Sequence, residues 1–224
     1  MLRATARSAG VVAPSMELLL ASNNKKKHAE FSAALAPLGY GVLLPKDVGG
    51  IEDVLEDGRT FRENAAKKAL SAARSSGLWA LADDSGLEVD ALGGAPGVRS
   101  ARYAGVHGDD AANNARLLRE LRDASEERRG AQFVCALALA RPDGSIALEV
   151  QGLARGRILH APRGDGDFGY DPLFLFTEPG FAQTGRGFAE LAPAEKLAIS
   201  HRGRALRQLL AALERLADLD APKK

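Results

Sequence analysis

Residues 82–89, with the sequence Ala-Asp-Asp-Ser-Gly-Leu-Glu-Val, constrain this chain more than any other segment. An apolar run at residues 79–82 leads into the adjacent carboxylates Asp83 and Asp84, and a Ser-Gly pair typical of a turn follows them. This order predicts a strand that ends at Asp83 and feeds an acidic turn at a sheet edge. Carboxylate oxygens are hard ligands for Mg²⁺, which proteins usually hold together with phosphates. By itself the segment also fits an Asx turn with a solvated acidic pair.

Length and charge exclude several classes of protein. The 224 residues fit one domain, which is long enough to bury a core without disulfides or structural metals. A net charge of +1 provides no field for non-specific binding of nucleic acid. No apolar stretch approaches the ~20 residues of a membrane span. The single cysteine, Cys135, lies in an apolar run, which indicates a buried thiol and a reducing compartment.

The first fifteen residues differ from the rest of the chain. Residues 1–15 contain Arg3 and Arg7 but no acidic residue. We predict a disordered extension outside the fold, or a start codon misplaced upstream of Met16, with a transit peptide as the alternative. Residues 16–220 are predicted to form a single two-lobed domain.

Helices and strands alternate along the chain, with one hairpin near its middle. Thr60 and Glu63 match a capping box, and Ser200 is placed to cap the last helix. The predicted strands cover residues 17–21, 40–44, 79–83, 132–140, 146–152 and 172–176, with residues 87–92 also extended. The predicted helices cover about 25–36, 61–76 and 201–216, together with one that Asp109 or Asp110 caps. This order predicts an α/β or α+β fold with a mixed sheet.

The turn after the first strand is a candidate phosphate site. A strand-to-helix turn offers free backbone N–H groups and the positive end of the helix dipole to an anion. Ser22 and Asn24 add polar side chains there, and Lys27 adds a charge on the first helical turn. A polar cap with solvated lysines is the alternative, and the spacing of a Walker A loop is absent.

Residues 164–169 formally match the G-x-G-x-x-G pattern of dinucleotide-binding proteins. We reject that interpretation, because no convincing strand precedes the pattern and Tyr-Asp-Pro follows it where a helix should begin. Phe168 and Tyr170 are better placed to stack on a planar ring, with Asp171 as an acceptor for a ring N–H group. Packing of the aromatic side chains within the loop is the alternative.

Charged side chains elsewhere add to these candidates. Lys196 and Arg202 supply cationic donors around the start of the last helix, and His201 between them is a donor or an acceptor. Before the helix that starts near residue 61, Glu56 lies in an acidic loop. Its carboxylates are either solvated or, if the loop folds over the Asp83–Asp84 pair, join that pair around one metal ion.

Taken together, these motifs resemble the inosine triphosphate pyrophosphatase family of dITP/XTP pyrophosphatases. Six blocks carry the resemblance in the family's order and span residues 17–216. They are Ser22-x-Asn24-x-x-Lys27, Thr60-Phe61-x-Glu63-Asn64-Ala65, Ala82 to Leu87, Gly93 to Tyr103, Phe168 to Pro172, and Glu195-Lys196-x-x-x-Ser200-His201-Arg202.

The resemblance implies an elongated mixed sheet flanked by helices, with a nucleotide cleft between two lobes. It also implies a cytoplasmic homodimer that uses Mg²⁺ to hydrolyse ITP, dITP and XTP to the monophosphate and pyrophosphate. A catalytically silent nucleotide-binding module and another Mg²⁺-dependent house-cleaning nucleotide hydrolase remain the alternatives.

The resemblance also assigns roles to residues. Asp84 is expected to be the general base, and Glu56, Asp84 and Asp83 are expected to hold Mg²⁺. The expected substrate-binding residues are Ser22, Asn23, Asn24, Lys25, Lys26, Lys27, Ser85, Phe168, Gly169, Tyr170, Asp171, Lys196, His201 and Arg202.

Overall fold

Among the residues that the computed structural model describes, 16–166 and 168–220, six strands form one mixed sheet. The strands are β1 (Met16–Leu20), β2 (Tyr40–Leu43), β3 (Trp79–Val89), β4 (Gly130–Ala140), β5 (Ile146–Ile158) and β6 (Phe174–Phe176). Their order across the sheet is β2-β1-β3-β4-β5-β6. The pairs β1–β2 and β1–β3 are parallel, and the remaining pairs are antiparallel. The predicted α/β fold with a mixed sheet is therefore confirmed, whereas its division into two lobes stays a prediction.

Five α-helices flank this sheet within the described part of the chain. They are α1 (Lys25–Leu35), α2 (Phe61–Ser76), α3 (Asp110–Glu120), α4 (Pro193–Ile199) and α5 (His201–Asp220). Short helix α4 was not predicted. None of them is long and apolar enough to cross a membrane. The predicted extension at residues 1–15 lies outside the described residues.

Side-chain caps explain where three of the helices begin. The Asn24 side chain accepts hydrogen bonds from the backbone N–H groups of Lys26 and Lys27 at the start of α1. Thr60 accepts from the N–H group of Glu63, and Ser200 accepts from that of Gly203. Each cap satisfies N–H groups that have no carbonyl partner in the first helical turn.

Strand β3 does not end at the acidic pair, so the predicted turn there is wrong. Residues 80–89 pair without interruption with β4, and Asp83 and Asp84 lie opposite Leu137 and Ala136. The antiparallel partner supplies backbone hydrogen bonds across the Ser-Gly pair and keeps it extended. On its other side β3 pairs with β1 only as far as Leu81. The acidic residues therefore lie where β1 has ended and β3 continues.

The apolar core is divided between the two faces of the sheet. Leu18, Leu20 and Leu81 pack with α1 and α5 on one face. Leu19 and Ala82 pack with the alanines of α2 on the other face. Successive side chains of a strand alternate between faces. Asp83 therefore lies on the face of Leu81, and Asp84 lies on the face of Ala82. A third, aromatic cluster that includes Phe133, Phe174 and Phe188 lies towards β6.

Candidate active site

A cavity of about 610 Å³ lies beside the part of β3 that β1 leaves uncovered. Most of the predicted site residues line it, namely Ser22, Asn23, Asn24, Lys27, Glu56, Asp83, Asp84, Ser85, Phe168, Gly169, Tyr170, Asp171, His201 and Arg202. Lys25, Lys26 and Lys196 are not among the lining residues. Lys25 is exposed on the first turn of α1. The structure thus brings together segments that are far apart in the chain.

Asp84 is buried and held by two residues of α2. Its Oδ1 atom accepts a hydrogen bond from Lys68 Nζ at 2.9 Å, and its Oδ2 atom accepts one from Asn64 Nδ2 at 3.2 Å. Burial raises the pKa of this carboxyl, and the opposing effect of the Lys68 ammonium does not fully offset that rise. The rotation of the carboxylate is set, because each oxygen has its own partner.

Lys68 joins Asp84 to Glu56. Its Nζ atom lies 2.9 Å from Glu56 Oε1 and 2.9 Å from Asp84 Oδ1, so the two carboxylate oxygens are separated by at most twice that distance. Burial lowers the pKa of Lys68, but Asp84 and Glu56 outweigh it and the net shift is upward. Burial likewise opposes ionisation of Glu56, yet Lys68 and Arg102 lower its pKa overall. Two carboxylates therefore surround one cation.

Asp83 lies on the other face of β3, against cations from α1 and α5. It is ion-paired to Lys27, and its Oδ2 atom lies 3.3 Å from Arg202 Nε. Ser85 Oγ donates to the same oxygen at 2.8 Å, and Cys135 Sγ donates to it at 3.3 Å. Burial opposes ionisation, but Lys27 and Arg202 hold the pKa of Asp83 well below its ordinary value.

These contacts engage Asp83 with cations of its own, and its predicted share in a metal site with Glu56 and Asp84 stays a prediction. Within the described residues no group of three or more His, Cys, Asp or Glu side chains is arranged to hold one metal ion. The physical reason is the alternation of side chains along a strand, which sends neighbouring carboxylates to opposite faces. Asp83 holds Lys27 and Arg202 in place.

The predicted phosphate turn is formed as a helix N-terminus. Ser22 Oγ accepts from the N–H group of Asn24 at 3.2 Å, and the Asn24 side chain caps α1. The amide oxygen of Asn24 is therefore used within the turn. Lys27 projects from the first turn of α1 to Asp83 and lines the cavity. The turn combines the positive end of a helix dipole with a lysine side chain, which suits an anion.

The aromatic loop forms another wall of the cavity. The Nζ atoms of Lys26 and Lys196 each lie 5.5 Å from the centroid of the half-buried Phe168 ring. Lys196 also pairs with Asp171, so this carboxylate is already engaged by a cation. Burial raises the pKa of Asp171 in spite of Lys196. Phe168 thus remains a candidate for stacking, whereas Asp171 anchors a lysine beside the ring.

Tyr170 does not stack on a ligand ring as predicted. It is buried in the aromatic core cluster, and its hydroxyl donates to the carbonyl of Ser100 at 2.8 Å. Next to it, the N–H group of Gly169 donates to Asp110 Oδ2 at 2.8 Å, and its carbonyl accepts from Asn114 Nδ2 at 2.8 Å. Helix α3 therefore holds the backbone beside Phe168 from both sides.

His201 and Arg202 occupy the floor of the cavity. The His201 ring stacks on Phe133 with centroids 4.7 Å apart, and its buried Nδ1 atom has no hydrogen-bond partner among the residues that the structure describes. Burial, reinforced by Arg202 and Lys196, lowers the pKa of His201 well below its usual range. Arg202 is buried between Asp83 and Glu30, which lies 3.3 Å from its Nη1 atom. The imidazole is therefore neutral and free at one nitrogen, whereas the guanidinium is already paired.

Sequence reasoning assigned no role to Asn64, Lys68 or Arg102. Arg102 Nη2 donates to the Glu56 carbonyl at 3.0 Å. The sequence does contain a signal for Asn64 and Lys68 of α2. The buried positions of this helix repeat with a helical period from Phe61 to Ala73. Asn64 and Lys68 fall on that stripe, four residues apart on the same face. Polar side chains on an otherwise apolar stripe indicate a buried polar partner.

The fold and the cavity define an α/β protein in which a carboxylate pair, a helix N-terminus and an aromatic ring meet in one pocket of ligand size. The chain belongs to the Ham1 family, whose model matches residues 18–212. The family recognised from the six sequence blocks is thereby confirmed.

Named relatives and a solved structure cover nearly the same part of the chain. The dITP/XTP pyrophosphatase of Mycolicibacterium paratuberculosis is 53% identical over 203 residues, which are 89% of this chain and 97% of that protein. The dITP/XTP pyrophosphatase of Desulforamulus reducens is 51% identical over 201 residues, 90% of this chain and 97% of that protein. The structure of a HAM1 protein from Coxiella burnetii has a TM-score of 0.81 at 42% identity, and the match covers 89% of this chain and 99% of that one.

Proposed function

We propose that this protein hydrolyses dITP, ITP and XTP to the nucleoside monophosphate and pyrophosphate, and so removes non-canonical purine nucleotides. The observation that carries the proposal is the Lys68 ammonium, which lies 2.9 Å from both Glu56 and Asp84 in the cavity. The names of the relatives, dITP/XTP pyrophosphatases at about half identity over most of the chain, support this substrate class.

The donor set fits a divalent cation. Glu56 and Asp84 each present a carboxylate oxygen 2.9 Å from one positive charge, and hard oxygen ligands are those that Mg²⁺ prefers. We propose that these two residues hold Mg²⁺, which when bound offsets the charge of the triphosphate and of the departing pyrophosphate.

Asp84 is proposed to accept the proton of the attacking water. Its burial and its two fixed partners set the direction of its oxygens, which is the geometric requirement for a general base. The N-terminal turn of α1, with Ser22, Asn23 and Lys27, is proposed to bind phosphates, and Lys196 adds a charge near Phe168. Positioning and charge stabilisation dominate in phosphoryl-transfer reactions of this kind.

Base selection is proposed to depend on Phe168 and His201. Phe168 would stack on the purine, and the His201 ring, which lines the same cavity, would meet the polar edge of the base. Hypoxanthine and xanthine carry a 6-oxo acceptor where adenine carries an amino donor. A site that donates to the oxo group leaves its donor unpaired against ATP, and such mismatches discriminate by ~10⁴-fold.

A pyrophosphate-release assay on ITP, dITP, XTP, GTP and ATP, with and without Mg²⁺, tests the proposal. We expect fast release from the first three nucleotides, and only with the metal present. Release of orthophosphate instead would indicate a different house-cleaning hydrolase, and nucleotide binding without turnover would indicate a silent binding module. Comparable rates for all five nucleotides would refute the account of base selection.

We further propose that the enzyme acts as a homodimer in the cytoplasm. This part of the proposal depends on the family resemblance alone. Light scattering of the purified full chain gives its mass in solution, and a mass of one chain would contradict the dimer.

A further inference from the structure

Asn64 is fully buried on α2 and uses both ends of its amide group. Its Nδ2 atom donates to Asp84 Oδ2 at 3.2 Å. Its Oδ1 atom accepts from the backbone N–H group of Gly58 at 2.8 Å. The exposed fraction of the residue is 0%, so neither hydrogen bond competes with bulk water. One side chain thus connects the β3 carboxylate to the loop that precedes α2.

That loop carries Glu56 and approaches Asn64 closely. A Cβ atom at Gly58 would lie 2.5 Å from Asn64 Oδ1 and 3.0 Å from Glu63 Cβ, so the close approach requires glycine. On the other side of the loop, Arg102 Nη2 donates to the Glu56 carbonyl at 3.0 Å. The backbone around Glu56 is therefore held at two points, by Asn64 of α2 at Gly58 and by Arg102 at the Glu56 carbonyl.

We propose that Asn64 is a positioning residue, which fixes the rotation of Asp84 and the place of the Glu56 loop at the same time. The inference rests on the proposed function, since it assigns a purpose to the pair Glu56 and Asp84. Lys68 binds Asp84 Oδ1 and Asn64 binds Asp84 Oδ2, so the amide sets the second oxygen without adding charge. Partners that orient metal-binding carboxylates typically change metal affinity or activity by about 10–100-fold when they are removed.

Two variants test this role. Asn64→Ala removes both hydrogen bonds, whereas Gly58→Ala keeps Asn64 and Asp84 but forces the loop away from the amide. We expect both variants to lower kcat for ITP by about 10–100-fold and to weaken Mg²⁺ binding, measured by calorimetry without nucleotide, in the same range. KM at saturating Mg²⁺ should change less than kcat, because the proposal places no phosphate or base contact on Asn64.

Ser76→Ala is the matched control. Ser76 lies at the other end of α2, and its hydroxyl donates to the carbonyl of Ala72 at 2.6 Å and accepts from the N–H group of Leu78 at 3.2 Å. Its removal costs one donated and one accepted hydrogen bond on the same helix without touching Asp84 or the Glu56 loop. We expect this variant to lose thermal stability but to keep its kcat and its Mg²⁺ affinity.

The outcomes separate this inference from the proposed function. Wild-type kcat and Mg²⁺ affinity in Asn64→Ala would overturn the inference, and so would an equal loss in Ser76→Ala. If Asn64→Ala does not fold, Gly58→Ala decides by the same two measurements. Failure of the wild-type protein to release pyrophosphate would refute the proposed function, while calorimetry with Mg²⁺ would still test the role of Asn64.

Discussion

Asp83 and Asp84 are neighbours in the chain, yet their carboxylates lie on opposite faces of β3. Asp83 is bound by Lys27 and Arg202, whereas Asp84 is bound by Lys68. Burial acts to raise the pKa of both carboxyls, but the net shift is downward for Asp83 and upward for Asp84. Two adjacent residues of one type are thereby given different tasks, one in holding cations and one in the proposed chemistry.

Asp84→Asn should remove most of the activity and leave the fold intact. An amide of the same shape still accepts a hydrogen bond from Lys68, but it cannot take up a proton from water. We expect kcat for ITP to fall by about 10²–10⁴-fold, the usual contribution of a general base. Pyrophosphate release measures the loss, and circular dichroism checks the fold. Near wild-type turnover would contradict the role given to Asp84.

Asp83→Asn should mainly affect stability. It leaves the buried Arg202 and the partly buried Lys27 without their shared counter-charge, and breaking a buried ion pair in this way costs about 3–5 kcal/mol. The control is Asp90→Asn, because Asp90 forms a half-exposed pair with Arg155 that contributes less than about 1 kcal/mol. Denaturant unfolding measures the free energy of unfolding of both variants. An equal loss of unfolding free energy in Asp83→Asn and Asp90→Asn would contradict the larger contribution assigned to the buried pair.

The stability that Asp83 contributes should disappear in acid. In the unfolded chain this carboxyl takes up a proton near its ordinary pKa of 3.8, whereas in the folded protein the ion pairs hold its pKa well below that value. The unfolded state then binds more protons, so stability falls with pH below about 4, by about 1.4 kcal/mol per pH unit. The difference in unfolding free energy between wild type and Asp83→Asn should narrow from about pH 5 to pH 3. If this difference in unfolding free energy did not change with pH, ionisation of Asp83 would not be the source of the acid sensitivity.

Phe168→Ala should weaken nucleotide binding through loss of the stacked base. Stacking of a base on an aromatic ring contributes about 1–3 kcal/mol, so KM for ITP should rise by about 5–100-fold. Inorganic tripolyphosphate has no base, and its inhibition constant should not change. Phe181→Ala is the control, since Phe181 is partly exposed and packs on Phe176. Equal effects on ITP and tripolyphosphate would argue against stacking.

Features that depend on local interactions followed from the sequence. The predicted caps Thr60 and Ser200 satisfy N–H groups three residues away, and helices α1, α2 and α5 begin where the pattern predicted. The hairpin of β4 and β5 followed from two apolar runs around a short turn. Most of the predicted site residues line the cavity, because the ordered motif blocks mark nearly all of them.

The tertiary structure decided the arrangement of charges. Strand β3 runs past the acidic pair because β4, far along the chain, supplies its hydrogen bonds, and that pairing separates Asp83 from Asp84. Lys68 binds Glu56 and Asp84 only because α2 packs on that face of the sheet. The sequence by itself determined many of the residues that gather at the site, since motifs and caps are local, but it assigned no role to Asn64 or Lys68. It did not determine which carboxylate meets which cation, because that depends on strand pairing and on helix packing between distant segments.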